Sequence, residues 1–319
     1  MMQFVQQSFF GDSDMRMASR SRHLPDWSPS KRGHLFQCPR RYYYEYYSKF
    51  LQIPRDQTAS LLFYKKLSNS WMLAGILLHL KIREAFGIWR QGATIESNSF
   101  VRDIAQWWDR ARQSSVQFAR SPDYSKPHSK VLLMEFVFED SDANKTWWEA
   151  GQRLEKALLG FLTLSSLERF RIGGLTPDAA IEKRVKVEGQ GFRMRGQIDL
   201  AWREGSRIAV ADWKSGSRDS ADSDLQMLAY SLAVKEHFNC ALSDVDPFRV
   251  ELGNGKVIPL TVNEQDAARA KARIAQDTAI MVGLHNYGER GIAEAFTPTG
   301  SPKICRLCPY QRVCPGSEV

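Results

Sequence analysis

The sequence predicts one α/β domain with a helical insertion, and three observations lead to this fold class. Helical patterns fill the chain up to about residue 170, strand-like segments alternate with helical ones from residue 180, and three closely spaced cysteines follow near residue 310. The 319 residues, 43% apolar and 25% charged, can bury a core without disulfides. This composition excludes collagenous, low-complexity and wholly disordered proteins.

The charge balance favours an anionic partner without proving one, because 44 Lys and Arg outnumber 36 Asp and Glu and give a net charge of +8. No apolar run approaches the ~18 residues that a membrane span needs. The longest candidate, Trp71–Leu80, is interrupted by Gly75 and His79. Residues 1–26 show no secretory signal. We therefore expect a cytoplasmic protein with reduced thiols and no membrane partner.

The amino-terminal region predicts a flexible tail over residues 1–26, followed by a helix. Ser28 can cap this helix and Pro29 suits its first position. After Cys38 the chain continues with a basic and aromatic stretch, RRYYYEYY, at residues 40–47. This stretch has two interpretations, a half-buried helix with solvated polar tips or a nucleic-acid contact.

Helical and strand patterns then follow in order, and the predicted elements change from helices only to strands with helices after Gly173. The predicted helices are Trp71–Phe86, Phe100–Phe118, Thr146–Phe170, Asp224–Phe238 and Glu264–Val282. The predicted strands are Ala180–Val187, Phe192–Trp202, Ile208–Trp213, Phe248–Leu252 and Lys256–Leu260.

The most informative segment reads as a β-hairpin with the turn in the sequence REGS at residues 203–206. A two-residue loop places Asp199 and Asp212 on the same sheet face, and Lys214 shares that face by strand alternation. A three-residue loop would place the two aspartates on opposite faces. Two carboxylates beside a lysine can bind Mg²⁺ or Mn²⁺ and act on a phosphodiester, but they can also form a plain cross-strand salt bridge.

The order of these motifs resembles the RecB-like branch of the PD-(D/E)XK nucleases. The motifs are the sequence GQID ending at Asp199, the sequence DWKSG starting at Asp212, Gln226 with Tyr230 four residues later, and the upstream helical His79. The resemblance implies a mixed central sheet flanked by helices. It also implies that Asp199 and Asp212 bind the metal, that His79 and the Trp213 carbonyl are further ligands, that Lys214 is the catalytic lysine, and that Gln226 and Tyr230 help to position DNA. Glu182 is a candidate for an additional family acid.

Three of the cysteines, Cys305, Cys308 and Cys314, have metal-ligand spacing, and Cys38 is the candidate for a fourth ligand. Spacing alone permits either tetrahedral zinc or an iron-sulfur cluster. The whole pattern is similar to the CRISPR-associated RecB-like exonucleases and the AddB nuclease domain. That resemblance implies a 4Fe-4S cluster that joins the two chain ends as a clasp. The remaining Cys240 reads as a small buried residue.

The resemblance also implies the domain organisation, with one RecB-like nuclease domain over residues 27–319. Within it we expect a first cluster-ligand helix (27–50), a helical insertion (87–170), a catalytic core (180–262) and a cysteine-rich segment (301–316). The insertion matches no family motif.

The expected function is a metal-dependent DNA nuclease, an exonuclease on single-stranded ends with 5′-to-3′ polarity favoured by the resemblance. The sequence lacks a phosphate-binding G-x-x-x-x-G-K-[ST] motif, so any unwinding requires a separate helicase partner. DNA repair, recombination, CRISPR and anti-phage defence are all compatible settings. Two alternatives are a catalytically silent iron-sulfur scaffold that binds DNA or a nuclease/helicase complex, and a zinc-stapled RNA-binding protein.

Overall fold

The computed structural model describes residues 25–51, 55–123, 130–216 and 221–317. The tail predicted for residues 1–26 lies outside the described residues up to residue 24. The helices, labelled here in chain order, are α1 Pro29–Gln37, α2 Pro39–Tyr47, α3 Arg55–Lys65, α4 Ser70–Arg90, α5 Ser97–Arg120, α6 Met134–Val137, α7 Ala143–Thr163, α8 Glu168–Gly173, α9 Ala221–Phe238, α10 Glu264–Glu289 and α11 Pro302–Cys305. The strands are β1 Ala180–Gly189, β2 Phe192–Glu204, β3 Arg207–Lys214, β4 Val245–Glu251 and β5 Lys256–Pro259.

The strands form a mixed sheet, which within the described residues has the order β1-β2-β3-β4-β5. Strands β1, β2 and β3 are antiparallel neighbours, β3 and β4 run parallel, and β4 pairs antiparallel with β5. Helix α9 connects the parallel strands, as a crossover between parallel strands requires. The predicted fold class, a mixed central sheet flanked by helices, is confirmed.

Helices cover both faces of the sheet. On one face, residues such as Trp202, Ala211 and Val250 pack with apolar residues of α4, α5 and α7. On the other, Ile208 and Val210 pack with α9 and α10. The region predicted as an insertion, residues 87–170, therefore supplies much of one of the two layers that cover the sheet.

The amino-terminal helices are held to the sheet and to the end of the chain. Ser28 caps α1 by accepting a hydrogen bond from the backbone N–H of Lys31, as predicted. The tyrosines of α2 pack into the core, where Tyr44 contacts the ring of Tyr310 and a second ring, Tyr43, contacts Phe296. Of the two interpretations of this basic and aromatic stretch, the structure supports the buried one, since Tyr42, Tyr43, Tyr44 and Tyr47 are all buried.

One predicted helix is interrupted. The pattern over Thr146–Phe170 predicted a single helix, but α7 ends at Thr163 and a short 3-10 turn precedes α8. The interruption is stabilised by Arg171, whose Nη1 donates hydrogen bonds to the carbonyl oxygens of Phe161 and Leu164 at 2.7 and 2.9 Å. The Phe161 carbonyl lies in the last turn of α7, where helix carbonyls lack intrahelical donors, and the Leu164 carbonyl also accepts the backbone N–H of Leu167 in the 3-10 turn at 3.1 Å.

None of the helices among the described residues combines the length and the apolar character needed to cross a membrane.

Candidate active site

A row of three carboxylates crosses strands β1, β2 and β3. The turn of the β2–β3 hairpin has two residues, because Glu204 pairs with Arg207, and the register leads to Leu200 opposite Ala211. The next residues along it, Asp199 and Asp212, therefore lie opposite each other on one face. This confirms the predicted geometry. On the other side of β2, the register places Glu182 opposite Asp199, so the row has a third acid.

Lys214 lies on the same face, two residues after Asp212. Its Nζ is 2.6 Å from Oδ2 of Asp212 and 3.3 Å from Oε1 of Gln226, to which it donates a hydrogen bond. Gln226 is on α9 and donates from Nε2 to Oδ1 of Asp212 at 3.1 Å and to the hydroxyl of Tyr230 at 2.9 Å. The four residues form one network. The spacing of four along α9 places Gln226 and Tyr230 on the same side of the helix.

His79 approaches the row from α4, where it lies on the side of the helix that faces β1. Its Nδ1 is 2.8 Å from Oε1 of Glu182 and 3.4 Å from Oδ1 of Asp199. Burial alone would lower the pKa of His79, but the hydrogen bond to Glu182 and the charges of Asp199, Glu182 and Asp212 outweigh it and raise the pKa to about 9. A protonated His79 thus compensates part of the negative charge of the acids, and the imidazole has to lose this proton to act as a metal ligand.

Glu182 has an uncommon backbone conformation for a residue in a strand. Its φ is +47°, in the left-handed region that side chains other than glycine rarely occupy. Its carboxylate accepts hydrogen bonds from His79 and from Nε2 of Gln197. Strained backbone of this kind is concentrated at functional sites. The sequence offered only the position of an acid in the preceding strand, and Glu182 was not among the predicted metal ligands.

The acids are buried enough to make their charge costly. Burial and the negative charge of Asp212 raise the pKa of Asp199, although its Oδ2 accepts a hydrogen bond from the backbone N–H of Trp213 at 2.7 Å. Oδ2 of Asp212 is buried and accepts no hydrogen bond from the described residues, its contact with Lys214 falling outside hydrogen-bonding angles. Buried carboxylates in this state favour a cation.

The arrangement fits a divalent cation. Ligand atoms of His79, Glu182 and Asp199 all lie within 4.8 Å of one another, and Asp212 is next in the row. Carboxylate oxygens are the ligands that Mg²⁺ and Mn²⁺ prefer. The backbone N–H of Trp213 points to Asp199, and within a strand the carbonyl of the same residue points to the same side. The predicted ligands His79, Asp199, Asp212 and Trp213 line the same cavity, and the atoms close enough to share one ion belong to His79, Glu182 and Asp199.

These residues line an open cavity of about 450 Å³ between α4, α9 and the sheet. The wall on α4 includes exposed apolar side chains, Ile76 and Leu80, and the exposed Arg83. The cavity therefore combines acidic, basic and apolar groups at a place that solvent reaches.

Comparisons with known proteins identify the family. The PD-(D/E)XK nuclease superfamily model matches residues 26–315. The chain belongs to the PD-(D/E)XK nuclease superfamily. Among curated proteins, the Gene 69 protein of Mycobacterium phage D29 is 27% identical over 143 residues, 44% of this chain and 50% of the phage protein. The chain thus matches half the length of that relative.

Among solved structures, the crystal structure of SSO0001 is similar at 15% identity, over 68% of this chain and 98% of SSO0001, with a TM-score of 0.29. At this TM-score the likeness adds nothing to the fold assignment.

Membership in the PD-(D/E)XK superfamily implies a nuclease that uses divalent metals such as Mg²⁺ or Mn²⁺ and acts on DNA. Asp212, Trp213 and Lys214 form a D-x-K sequence like the one in the family name, and Asp199 lies 13 residues upstream of it. The structure brings all of them, together with His79, into one cavity.

The four predicted cluster cysteines lie where α2 meets the end of the chain. All are free thiols, with Cys38, Cys305 and Cys308 buried and Cys314 half-buried. Burial raises the pKa of Cys308 to about 11, and the sulfurs of Cys38 and Cys314 are near enough to add to this effect. No three of these sulfurs among the described residues lie within 4.8 Å of one another, as ligands of a single zinc ion would. The fifth cysteine, Cys240, is half-buried rather than buried as predicted.

Proposed function

We propose that this chain hydrolyses phosphodiester bonds in DNA as a metal-dependent exonuclease acting on single-stranded ends. The observation that carries the proposal is the convergence of the carboxylates of Glu182, Asp199 and Asp212 with Lys214 in one open cavity. A purely structural salt bridge needs one acid and one base. Here a third buried carboxylate, Glu182, joins the row, so the negative charge exceeds what Lys214 and a protonated His79 compensate, and a divalent cation would supply the remaining positive charge.

We assign the metal to Asp199 and Asp212, with His79, the Trp213 carbonyl and Glu182 as further ligands. When bound, a divalent cation polarises the phosphodiester and lowers the pKa of a water molecule. The protein supplies a fixed set of oxygen donors on adjacent strands. Because the donors belong to the same sheet, they need little rearrangement for binding.

Lys214 and its neighbours supply the remaining chemistry. The Lys214 ammonium lies beside Asp212 and can orient the attacking water and offset charge that builds on the phosphate. Gln226 accepts a hydrogen bond from Lys214 and donates one to Asp212, so it fixes the position of both groups. Tyr230 holds the Gln226 amide in turn.

The polarity and the biological setting rest on the family resemblance. We favour 5′-to-3′ cleavage by a cytoplasmic enzyme, in DNA repair, recombination or CRISPR and anti-phage defence. A separate helicase would supply unwound ends.

We also propose a 4Fe-4S cluster held by Cys38, Cys305, Cys308 and Cys314. The support is their placement at one junction, where the first helices meet the final segment, and the influence of Cys38 and Cys314 on the Cys308 thiol. When bound, a cluster cross-links the two chain ends. The aromatic contacts between α2 and residues 296–310 already join the same segments, so the cluster would strengthen an existing contact.

The proposal is tested with single- and double-stranded DNA labelled at either end, and with circular single-stranded DNA, in Mg²⁺ or Mn²⁺. The protein is purified without oxygen, beside Lys214→Ala and the control Lys186→Ala, which removes an exposed strand lysine away from the cavity. We expect cleavage of linear single strands, first release of the 5′ label, intact circles and loss of activity only in Lys214→Ala. No cleavage by a folded wild-type protein would contradict the proposal and favour the scaffold.

A further inference from the structure

A second group of residues lies beside the cavity, at the carboxyl ends of β3 and β4. Helix α7 carries two exposed basic residues there, Arg153 and Lys156, and α4 contributes Trp71. We call these three residues the basic platform. They do not line the cavity that holds the acids, and none of them belongs to the motifs that predicted the nuclease.

Arg153 is in contact with an aromatic ring and lies close to a glycine. Its guanidinium lies 4.6 Å from the ring centroid of Trp71, within the range of a cation–π interaction. The guanidinium also lies close to Gly216, two residues after Lys214, where an added Cβ would lie only 3.0 Å from Nη1 of Arg153. The absence of a side chain at Gly216 thus lets the guanidinium approach the backbone at the end of β3.

Lys156 has a similar position at the end of β4. It follows Arg153 by three residues on α7, so both side chains lie on one side of the helix. A Cβ on Gly253 would lie 3.7 Å from Cγ of Lys156 and 3.8 Å from the carbonyl oxygen of Ser215. Because β3 and β4 are parallel, their carboxyl ends meet at one edge of the sheet, and the two cations lie side by side along it.

Among the residues that the structure describes, neither cation has an acidic partner. Within the described residues no carboxylate oxygen lies within 4 Å of Arg153 or Lys156, although Glu149 and Glu155 are on the same helix. A guanidinium that is fixed by stacking and carries unused donors is suited to bind a phosphate. The stacking on Trp71 restricts its motion before any ligand binds, which reduces the entropy lost on binding.

We propose that the basic platform binds the phosphates that adjoin the scissile one and guides the strand past the metal site. This inference rests on the proposed nuclease function. Gly216 follows Lys214 by two residues, at most about 7 Å along the chain. This distance is of the order of one nucleotide of an extended single strand, so Arg153 contacts a phosphate next to the scissile one.

The platform also assigns a role to the helical region 87–170, which no motif explains. Helix α7 packs on the sheet through residues such as Leu158, while Arg153 and Lys156 remain exposed at the edge. The region therefore covers the core and presents cations to the substrate at the same time.

The test measures binding of a fluorescently labelled single-stranded 12-mer by anisotropy at several salt concentrations. All proteins carry Asp212→Asn, so that the strand stays intact during the titration. The compared substitutions are Arg153→Ala, Arg153→Lys and Lys156→Ala. The matched control is Arg110→Ala, because Arg110 is also stacked on an exposed tryptophan, Trp107, but lies on α5 and does not line the cavity. Polyglutamate serves as a competitor.

We expect Arg153→Ala to weaken binding about fivefold at 0.1 M salt, because the salt slope of about 0.7 per phosphate on single strands gives a factor of 10 to the power 0.7. The slope should fall by about 0.7 as well, and Lys156→Ala should behave alike. Arg153→Lys should keep the slope but lose affinity, since lysine lacks the planar fork. Arg110→Ala should change neither quantity.

Unchanged affinity and slope in Arg153→Ala would overturn the inference while leaving the nuclease proposal intact if the wild type cleaves DNA. An equal loss in Arg110→Ala, or equal displacement of the strand by polyglutamate, would overturn it too, because nonspecific charge or an acidic protein partner would then explain the platform. If no form cleaves DNA but Arg153→Ala still loses affinity and slope, the phosphate contact stands and the nuclease proposal fails.

Discussion

Replacement of Gln226 by leucine tests whether the network around Lys214 positions the catalytic groups. The amide joins Asp212, Lys214 and Tyr230 through three hydrogen bonds of 2.9 to 3.3 Å. Leucine keeps much of the side-chain volume but removes all three. Two of the lost bonds involve charged groups, each worth about 1.5 to 3 kcal/mol.

The lower end of that range applies, because Gln226 is only half-buried. Two bonds at about 1.5 kcal/mol give about 3 kcal/mol, which corresponds to roughly a hundredfold loss of kcat. Tyr230→Phe removes one bond between neutral groups, about 1 kcal/mol, so it should cost less than tenfold. If Tyr230 acts through Gln226, the double variant should be no slower than Gln226→Leu alone.

The assay is single-turnover cleavage of end-labelled DNA at saturating metal, with thermal unfolding of each variant in parallel. Ser231→Ala is the control on the same helix, since the Ser231 hydroxyl donates to the carbonyl of Met227 away from the cavity. It should leave the cleavage rate unchanged. A folded Gln226→Leu variant that cleaves within twofold of the wild-type rate would refute the positioning role.

Three further outcomes follow from features outside the cavity. Burial lowers the pKa of His34 to about 4, so the folded protein binds this proton at a lower pH than the unfolded chain does. The free energy of unfolding should therefore fall by at most about 3 kcal/mol as the pH is lowered from 6.5 to 4. Urea unfolding should show a weaker pH dependence in His34→Gln, and an identical dependence would contradict the assignment. Gly160→Ala should lose about 3 kcal/mol or more in the same assay, because a Cβ would overlap the carbonyl oxygen of Leu252, whereas Gly33→Ala, with open space around it, should be tolerated. Cys308→Ser should lose iron, colour and soluble yield, and a well-folded colourless variant would show that the clasp is dispensable.

Much of the site could be predicted from the sequence because strands have a period of two. A two-residue turn places Asp199 and Asp212 on the same face of the sheet, and the alternation of side chains along a strand places Lys214 on that face too. The helical spacing did the same for Gln226 and Tyr230. Both relations depend only on the spacing of residues within one element or one hairpin, so they can be predicted directly from the sequence.

The missing parts are non-local. Glu182 enters the row through the register between β1 and β2 and through a left-handed backbone, and neither is encoded in a short motif. The basic platform requires α7 to lie across the ends of β3 and β4. The end of α7 depends on Arg171, which reaches its carbonyls from the next helix. The spacing of apolar residues does not reveal such long-range contacts, so the sequence predicted one helix that continued to Phe170.

The central claim is that the row of acids holds the metal that cleaves DNA, and parallel measurement of metal binding and cleavage tests it most directly. Mn²⁺ is titrated by electron paramagnetic resonance into the wild type, Asp212→Asn and the control Asp178→Asn, an exposed acid near the start of β1, and cleavage is followed at each Mn²⁺ concentration. We predict that cleavage rises with metal occupancy in the wild type and in Asp178→Asn, and that Asp212→Asn loses tight Mn²⁺ binding and cleavage together. Cleavage by Asp212→Asn at the wild-type rate, or wild-type cleavage without bound metal, would contradict the account.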